Sequence, residues 1–273
     1  MNLKEKKVLF IDLDGTLLDS RNENTAYPSK ENIKALEKAN KAGIKTIIST
    51  GRSGNGVKLY LDLFKPKFAV LGNGALIYKN GEIIEEKRFS KRQVIQIIDF
   101  AKANSLTIKV DDSQTCYGSE SWICQKISSK LSLQNVRGYY LSSQKPYYKF
   151  VMWGKIKKSA MKQLAEDLKL KVSDISVVTS AKGYTIEVTH KDATKGKGNY
   201  YVAKKLLRLK NMDEVAHIGD SMNDSTAAEK MDLIAMKNSP KSLKELAAHV
   251  GPHYKKAGIA KLIDQMLKKE EEY

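Results

Sequence analysis

Cysteine is nearly absent from this chain: among 273 residues only Cys116 and Cys124 are cysteines. Two thiols make no disulfide framework and lack the paired spacing of a zinc site, so the fold has to rest on its core. Long apolar runs are missing as well. No stretch approaches the ~18 residues that a membrane-spanning helix needs. After Lys4 to Lys7 the apolar run is only Val8 to Ile11 before Asp12 stops it, too short for a secretory signal. The expectation is a cytoplasmic protein with no membrane partner. The chain also has no internal repeat, no low-complexity linker and no G-x-x-x-x-G-K-[ST] loop, and the last absence argues against a P-loop kinase.

Charge of one sign is present in excess, with 48 Lys+Arg against 31 Asp+Glu and a net charge of +17. Residues 85–189 hold 18 Lys+Arg and 10 Asp+Glu, and the remainder holds 30 and 21. The excess is spread along the whole chain, with no basic tail or block to follow a phosphate backbone. It reads as compositional bias and is compatible with a small anionic substrate. Nucleic acid is not the expected partner.

The first third alternates strand and helix patterns. Lys7 to Asp12 reads as a buried strand and Ser29 to Lys41 as a helix entered through Pro28 and left at Gly43. Ile44 to Ser49 and Phe68 to Leu71 read as further strands around a helix at Val57 to Phe64. From Gly72 the pattern changes. Asn80-Gly81 marks a hairpin, Ser90 caps a helix, and strand-like runs then mix with helical stretches near 120–131 and 157–169. Alternation returns with helices at Lys197 to Leu209 and Ser221 to Lys230, and strands at Glu214 to Ile218 and Leu233 to Met236. The expected architecture is α/β, a doubly wound parallel sheet built by residues 1–84 and 190–273, with an α+β insert at 85–189.

Four stretches carry chemistry, each with a plain alternative. "DLDGT" ends the first strand with Asp12 and Asp14 two apart, so in extended chain both carboxylates point to one side and their repulsion invites a hard cation such as Mg²⁺. Strand-end turn chemistry would use the same residues. "IISTGR" offers Thr50 and Gly51 at a helix start, a natural phosphate pocket or an ordinary N-cap. "THKDATKGKG" brings lysines before a helix, one of which could reach a phosphoryl oxygen as a point charge, or all of which could be solvated. "HIGDSMND" closes another strand on Asp220, placed to complete an oxygen shell, with Asn223 able to orient its neighbours. His217 reads as a core histidine and not as a metal ligand.

Four such stretches in this order resemble a haloacid dehalogenase superfamily phosphatase of the Cof type. The likeness runs along the entire chain, including "GNGALIY" at Gly72 to Tyr78, "IAMKNSPKSLKELA" at Ile234 to Ala247, and the insert, which is similar to that family's α/β cap domain. The resemblance implies a Rossmann-like core and a set of roles. Asp12 would be nucleophile and metal ligand; Asp14 would be general acid/base, with its backbone carbonyl on the metal. Leu13 would give a backbone N–H to the phosphoryl group, Thr50, Gly51, Lys195 and Asn223 would bind phosphate, Asp220 would ligate Mg²⁺, and Asp224 would support it. "STAAEK", Ser225 to Lys230, departs from the family's aliphatic and methionine helix start and leaves the local packing open.

The implied function is hydrolysis of small phosphorylated metabolites through an aspartyl-phosphate, with Mg²⁺ and Lys195 neutralising the phosphoryl oxygens. Two other readings stay open at this point. A phosphomutase of the same superfamily would need a cap that excludes water. A basic nucleic-acid-binding module would retain RNA at physiological salt without catalysis.

Overall fold

The computed structural model describes residues 2–22, 25–110, 116–117 and 147–268. The helical stretch expected near 120–131, the aromatics Trp122, Tyr139 and Tyr140, and the chain end at 269–273 lie outside the described residues.

In chain order the elements are β1 (Val8–Ile11), a hairpin of β2 (Ser20–Asn22) and β3 (Thr25–Tyr27), α1 (Lys30–Lys41), β4 (Lys45–Ser49), α2 (Gly54–Phe64) and β5 (Phe68–Leu71). Next come β6 (Leu76–Lys79), β7 (Glu82–Glu86), α3 (Lys91–Ala103), β8 (Thr107–Val110) and β9 (Cys116–Tyr117). They are followed by β10 (Lys149–Trp153), α4 (Lys158–Lys171), β11 (Ile175–Ser180), β12 (Thr185–His190) and α5 (Lys195–Tyr201). The last elements are β13 (Val215–Gly219), β14 (Asp232–Ala235), α6 (Lys241–Leu246), β15 (His249–Val250) and α7 (Gly258–Leu267).

One sheet runs β15-β14-β13-β1-β4-β5-β6-β7. It is parallel from β15 to β5, and β6 and β7 add an antiparallel edge. A parallel strand covered on both faces must be apolar at every position, and β1 reads VLFI with all four residues buried. Leu9 and Ile11 pack with Leu36 and Ala39 of α1 and Leu262 and Ile263 of α7. Val8 and Phe10 pack on the other side with Val202, Ala203 and Leu243. Helix α1 begins where Ser29 Oγ accepts from the Asn32 N–H. Asn32 is itself buried, donating to the Leu17 carbonyl at 3.0 Å and accepting from the Ala260 N–H at 3.0 Å. That side chain ties the turn after β1 to α7.

A second, antiparallel sheet runs β11-β12-β10-β8-β9. Its strands alternate in the manner of a half-buried sheet. Phe150, Met152, Ile186 and Val188 form a separate apolar core with Val94, Ile97 and Ile98 of α3 and Met161 and Leu168 of α4. The intervening residues Lys109, Val151 and Glu187 pair in register across β8, β10 and β12 and line a cavity with the strand ends of the first sheet.

Four segments differ from the sequence expectation. Helix α5 starts at Lys195, two residues early, because Thr194 Oγ1 accepts from the Lys197 N–H, and it widens to a π-helical turn at Val202–Leu206. Ser221 to Lys230 is not an α-helix. It is a 3₁₀ run over Met222–Ala227, in which Ser221 and Asp224 cap each other and Ser225 Oγ donates to the Met222 carbonyl at 2.7 Å. Short polar side chains bonding to nearby backbone compete with α-helical pairing. The departure at "STAAEK" fits here: Ala227 is buried, and Thr226 Oγ1 accepts from the Gly196 N–H at 3.1 Å. Helix α7 and the β2-β3 hairpin were not anticipated.

Candidate active site

Strand order assembles the site. In an open α/β sheet, ligands bind beyond the carboxyl ends of the strands. Here β13, β1 and β4 are neighbours, so Asp220, Asp12 and Thr50 follow their last residues side by side. Gly15 turns the chain after β1 at φ +74°, and a Cβ there would fall 2.2 Å from Asp220 Oδ2. Only glycine permits both that backbone conformation and that approach. Asn238 Nδ2 clasps the two loops, donating to the Gly15 carbonyl at 2.9 Å and to Asp220 Oδ2 at 3.1 Å.

Lys195, on the first turn of α5, is fully buried and donates to Asp12 Oδ1 at 2.7 Å and to Asp224 Oδ1 at 2.6 Å. Burial alone would lower its pKa, yet Asp12 and Asp224 raise it above the ordinary lysine value. Asp224 is saturated. Its Oδ1 also meets His217 Nε2 at 2.7 Å, and its Oδ2 accepts from the N–H groups of Asp220 and Ser221 at 3.0 and 2.9 Å. Burial opposes its ionisation, but Lys195 and His217 hold its carboxyl below the usual range. Behind it, Ser49 Oγ donates to Asn199 Oδ1 at 2.7 Å, which turns Asn199 Nδ2 toward His217 Nδ1 at 3.1 Å. His217 therefore carries its proton on Nε2 and gives it to Asp224. Burial lowers its pKa, though Asp224 pulls the other way. The histidine is a core residue, as expected, and it orients a carboxylate.

The carboxylate oxygens of Asp12, Asp220 and Asp224 come within 4.8 Å of one another. Burial raises the Asp12 carboxyl well above its ordinary range; Lys195 pulls it down, and Asp224, Asp220 and Asp14 push it up again. Asp220 is pushed up to about 7, first by burial and then by Asp224. Among the described residues, Asp12 Oδ2 and Asp220 Oδ1 accept no protein hydrogen bond. Counted ionised, the four carboxylates of Asp12, Asp14, Asp220 and Asp224 face the two cations Lys195 and Arg52. Two negative charges stay unmatched, and the open donors are all oxygen. That set fits one hard divalent cation.

The haloacid dehalogenase-like hydrolase family matches residues 9–263. The chain belongs to this family. Among relatives, phosphatase YwpJ of Bacillus subtilis is 23% identical, over 96% of this chain and all of its own length. A haloacid dehalogenase-like hydrolase from B. subtilis superposes with a TM-score of 0.79 at 22% identity, covering 96% of this chain and 100% of that one. The subclass IIB sugar phosphatase BT4131 superposes at 0.77 with 19% identity, covering 95% and 98%. At such identities the structural likeness shows a shared fold.

In this haloacid dehalogenase-like hydrolase the other expected residues fall into two groups. Leu13 is buried in the first core, and Thr50 is buried with its hydroxyl accepting from the Arg52 N–H at 3.2 Å. Asp14 lies apart from the three-carboxylate cluster. Its two oxygens accept from Arg52 Nε and Nη2, each at 2.6 Å, and its side chain is half exposed. Arg52 also donates to the Gly56 carbonyl at 3.1 Å and lies 5.1 Å over the Tyr60 ring.

The second group gathers over Gly51. A Cβ there would sit 2.8 Å from Asn73 Oδ1, 3.3 Å from Lys149 Nζ and 3.4 Å from Asn223 Nδ2. The cavity between the sheets, about 1030 Å³, is bordered by Asp12, Asp14, Arg52, Lys149, Glu187 and Asp220, among others. Sequence reasoning missed Arg52, Asn73, Lys149, Glu187 and Asn238. Polar residues at alternate positions of apolar strands, as in "KFVMW" and "TIEVTH", were the available signal for Lys149 and Glu187.

Proposed function

We propose that this chain is a Mg²⁺-dependent phosphatase of small phosphorylated metabolites, acting through an aspartyl-phosphate on Asp12. The supporting observation is the buried Lys195 between Asp12 and Asp224, beside two carboxylates with open oxygens, at the edge of a cavity large enough for a metabolite. The names of the relatives point the same way. Asp12 Oδ2, Asp220 and the Asp14 backbone carbonyl would hold Mg²⁺, which supplies charge neutralisation of the phosphoryl oxygens when bound.

The chain's own residues supply the rest. Lys195 fixes the Asp12 carboxylate through Oδ1 and so holds it for attack on phosphorus, and the phosphorus–oxygen bond of the ester breaks as the new one forms. Thr50, Gly51, Asn223 and the Leu13 N–H receive the phosphoryl oxygens. Asp14 protonates the departing alkoxide, then takes a proton from the water that cleaves the intermediate. For that it must leave Arg52, which makes the bidentate pair a resting state of the acid/base. Residues 85–189 act as the cap that shields the site and selects the substrate, and residues 1–84 and 190–273 act as the catalytic core.

Phosphate release from a panel of phosphorylated metabolites, with EDTA and with Mg²⁺ restored, tests the reading. Release should vanish with EDTA and return with Mg²⁺. A full rate in EDTA would overturn the metal-dependent assignment.

A further inference from the structure

A chain of polar side chains crosses from the second sheet to the phosphate loop, and its direction is set at one end. Glu187 on β12 accepts from Lys149 Nζ at 2.8 Å and from Asn73 Nδ2 at 2.9 Å. Both charged side chains are largely buried, at 10% and 14% exposure. An ionised carboxylate only accepts, so Asn73 must turn its amide nitrogen to Glu187 and its oxygen away. That oxygen accepts from Asn223 Nδ2 at 2.9 Å, and Asn223 Oδ1 in turn accepts from Ser221 Oγ at 2.7 Å. One carboxylate thus fixes the orientation of two amides. Burial would raise the Glu187 carboxyl, but Lys149, with Ser180 and Asn73, brings it down to about 2, so it is ionised at neutral pH.

Lys149 works on the adjacent backbone. Its ammonium donates to the Gly51 carbonyl at 3.0 Å. A Cβ at Gly51 would crowd Asn73, Lys149 and Asn223. The N–H of the same peptide, that of Arg52, donates to Thr50 Oγ1 at 3.2 Å, so Lys149 adds a second restraint on the carbonyl side.

We infer that Glu187 and Lys149 are positioning residues for phosphate: through Asn73 and the Gly51 carbonyl they orient Asn223 and the Gly51 peptide, so phosphate affinity depends on two side chains of the second sheet. The inference rests on the phosphatase reading. It differs from a role in choosing the leaving group, because a residue that acts through the phosphate loop affects every ester alike.

The test is inhibition of p-nitrophenyl phosphate hydrolysis by inorganic phosphate, together with KM and kcat for that ester and for one bulky sugar phosphate, all with Mg²⁺. Glu187→Gln and Lys149→Met should each weaken phosphate by about tenfold, the size expected when a hydrogen bond to a charged group is lost. Both should raise KM for the two esters by that same factor, and Lys149→Arg should restore most of the affinity. Glu187→Gln combined with Asn73→Ala should cost no more than Asn73→Ala alone, since the carboxylate acts through that amide. Thermal melting establishes that the variants are folded; should Glu187→Gln unfold, Asn73→Asp, which sets a carboxylate against Glu187, has to show the same loss. Unchanged phosphate inhibition in the folded variants, or a KM change confined to one ester, would overturn the inference while leaving the phosphatase reading intact. A wild-type protein that releases no phosphate from any ester and binds none would overturn both.

Discussion

Two buried lysines of this molecule sit among carboxylates in different proportions. Among the described residues Lys149 pairs with the Glu187 carboxylate, to which Asn73 also donates, and the acid is held down at about 2. Lys195 meets Asp12 and Asp224 with Asp220 close by, and Asp12 and Asp220 are both pushed up. Burial is comparable in kind; the ratio of charges differs. A matched pair in a low-dielectric site is a brace, because every charge has a partner and removing one strands the other. An unmatched acidic excess is a demand for an external cation and a source of reactive oxygens.

The largest effect separates the two regions by sign as well as size. Asp12→Asn should cut phosphate release by ~10⁴-fold or more, as loss of a nucleophile does. In metal-free buffer the same change should raise the melting temperature, since it relieves repulsion that the lysine does not cover. Glu187→Gln should lower it. If both variants shift melting in the same direction, the contrast between brace and demand fails.

Next in size is the division among the acids of the site. Asp14→Asn should slow turnover by ~10² to 10⁴-fold, the range for a lost general acid/base, while Mg²⁺ affinity stays near wild type. Asp220→Ala should weaken Mg²⁺ by more than ~100-fold, beyond what losing a supporting residue costs. Isothermal titration with Mg²⁺ and rapid-quench kinetics on both variants would tell them apart. Equal loss of Mg²⁺ in the two would mean that the Asp14 carboxylate is itself a ligand.

A smaller effect is legible in pH. Glu187 is depressed from its ordinary 4.5 to about 2 when folded, so its contribution is complete above 4.5 and is lost as pH falls through 2. The difference in unfolding free energy between wild type and Glu187→Gln should therefore shrink between pH 4.5 and 2. A difference that stays constant across that window would show that packing, not charge, carries the pair. Smallest of all is Lys38→Ala, which breaks a 2.7 Å pair with Asp264 between two half-exposed side chains and should change stability by less than ~1 kcal/mol in denaturant titration.

Much of the first sheet was legible because its strands are short, fully apolar and punctuated by glycine and polar ends, as in "VLFIDLDGT" and "HIGDSMND". The same punctuation marked Asp12, Thr50 and Asp220 as strand-end residues, which parallel order brings together, whereas Lys195 was separated from its neighbouring lysines only by the family resemblance. The geometry beyond that was hidden for physical reasons. Asp224 reads as a helix residue, but its four hydrogen bonds come from Lys195 on α5 and from the stretch His217 to Ser221, and it lies in a 3₁₀ run. Arg52 stood in plain view, yet its partner Asp14 lies in another loop. Lys149 and Glu187 lie on two strands of the second sheet, and only the fold shows that their face lines the cavity with the strand ends of the first sheet.

The placement of β1 has a consequence for how the protein comes to exist. Val8 is paired with Lys45 on one side and with Val215 on the other. On the ribosome the first partner arrives early, but the second follows only after the whole second sheet has been made. Until then this wholly apolar strand keeps one edge and much of both faces open, the condition under which chains misassociate. Lys195 and Asp12 are 183 residues apart, and such distant contacts are slow to form. The second sheet, whose elements are closer in sequence, has time to fold first. The candidate site is then the last thing the chain completes, and a product truncated after β12 carries the Glu187–Lys149 pair and Asp12 but lacks Lys195, Asp220 and Asp224.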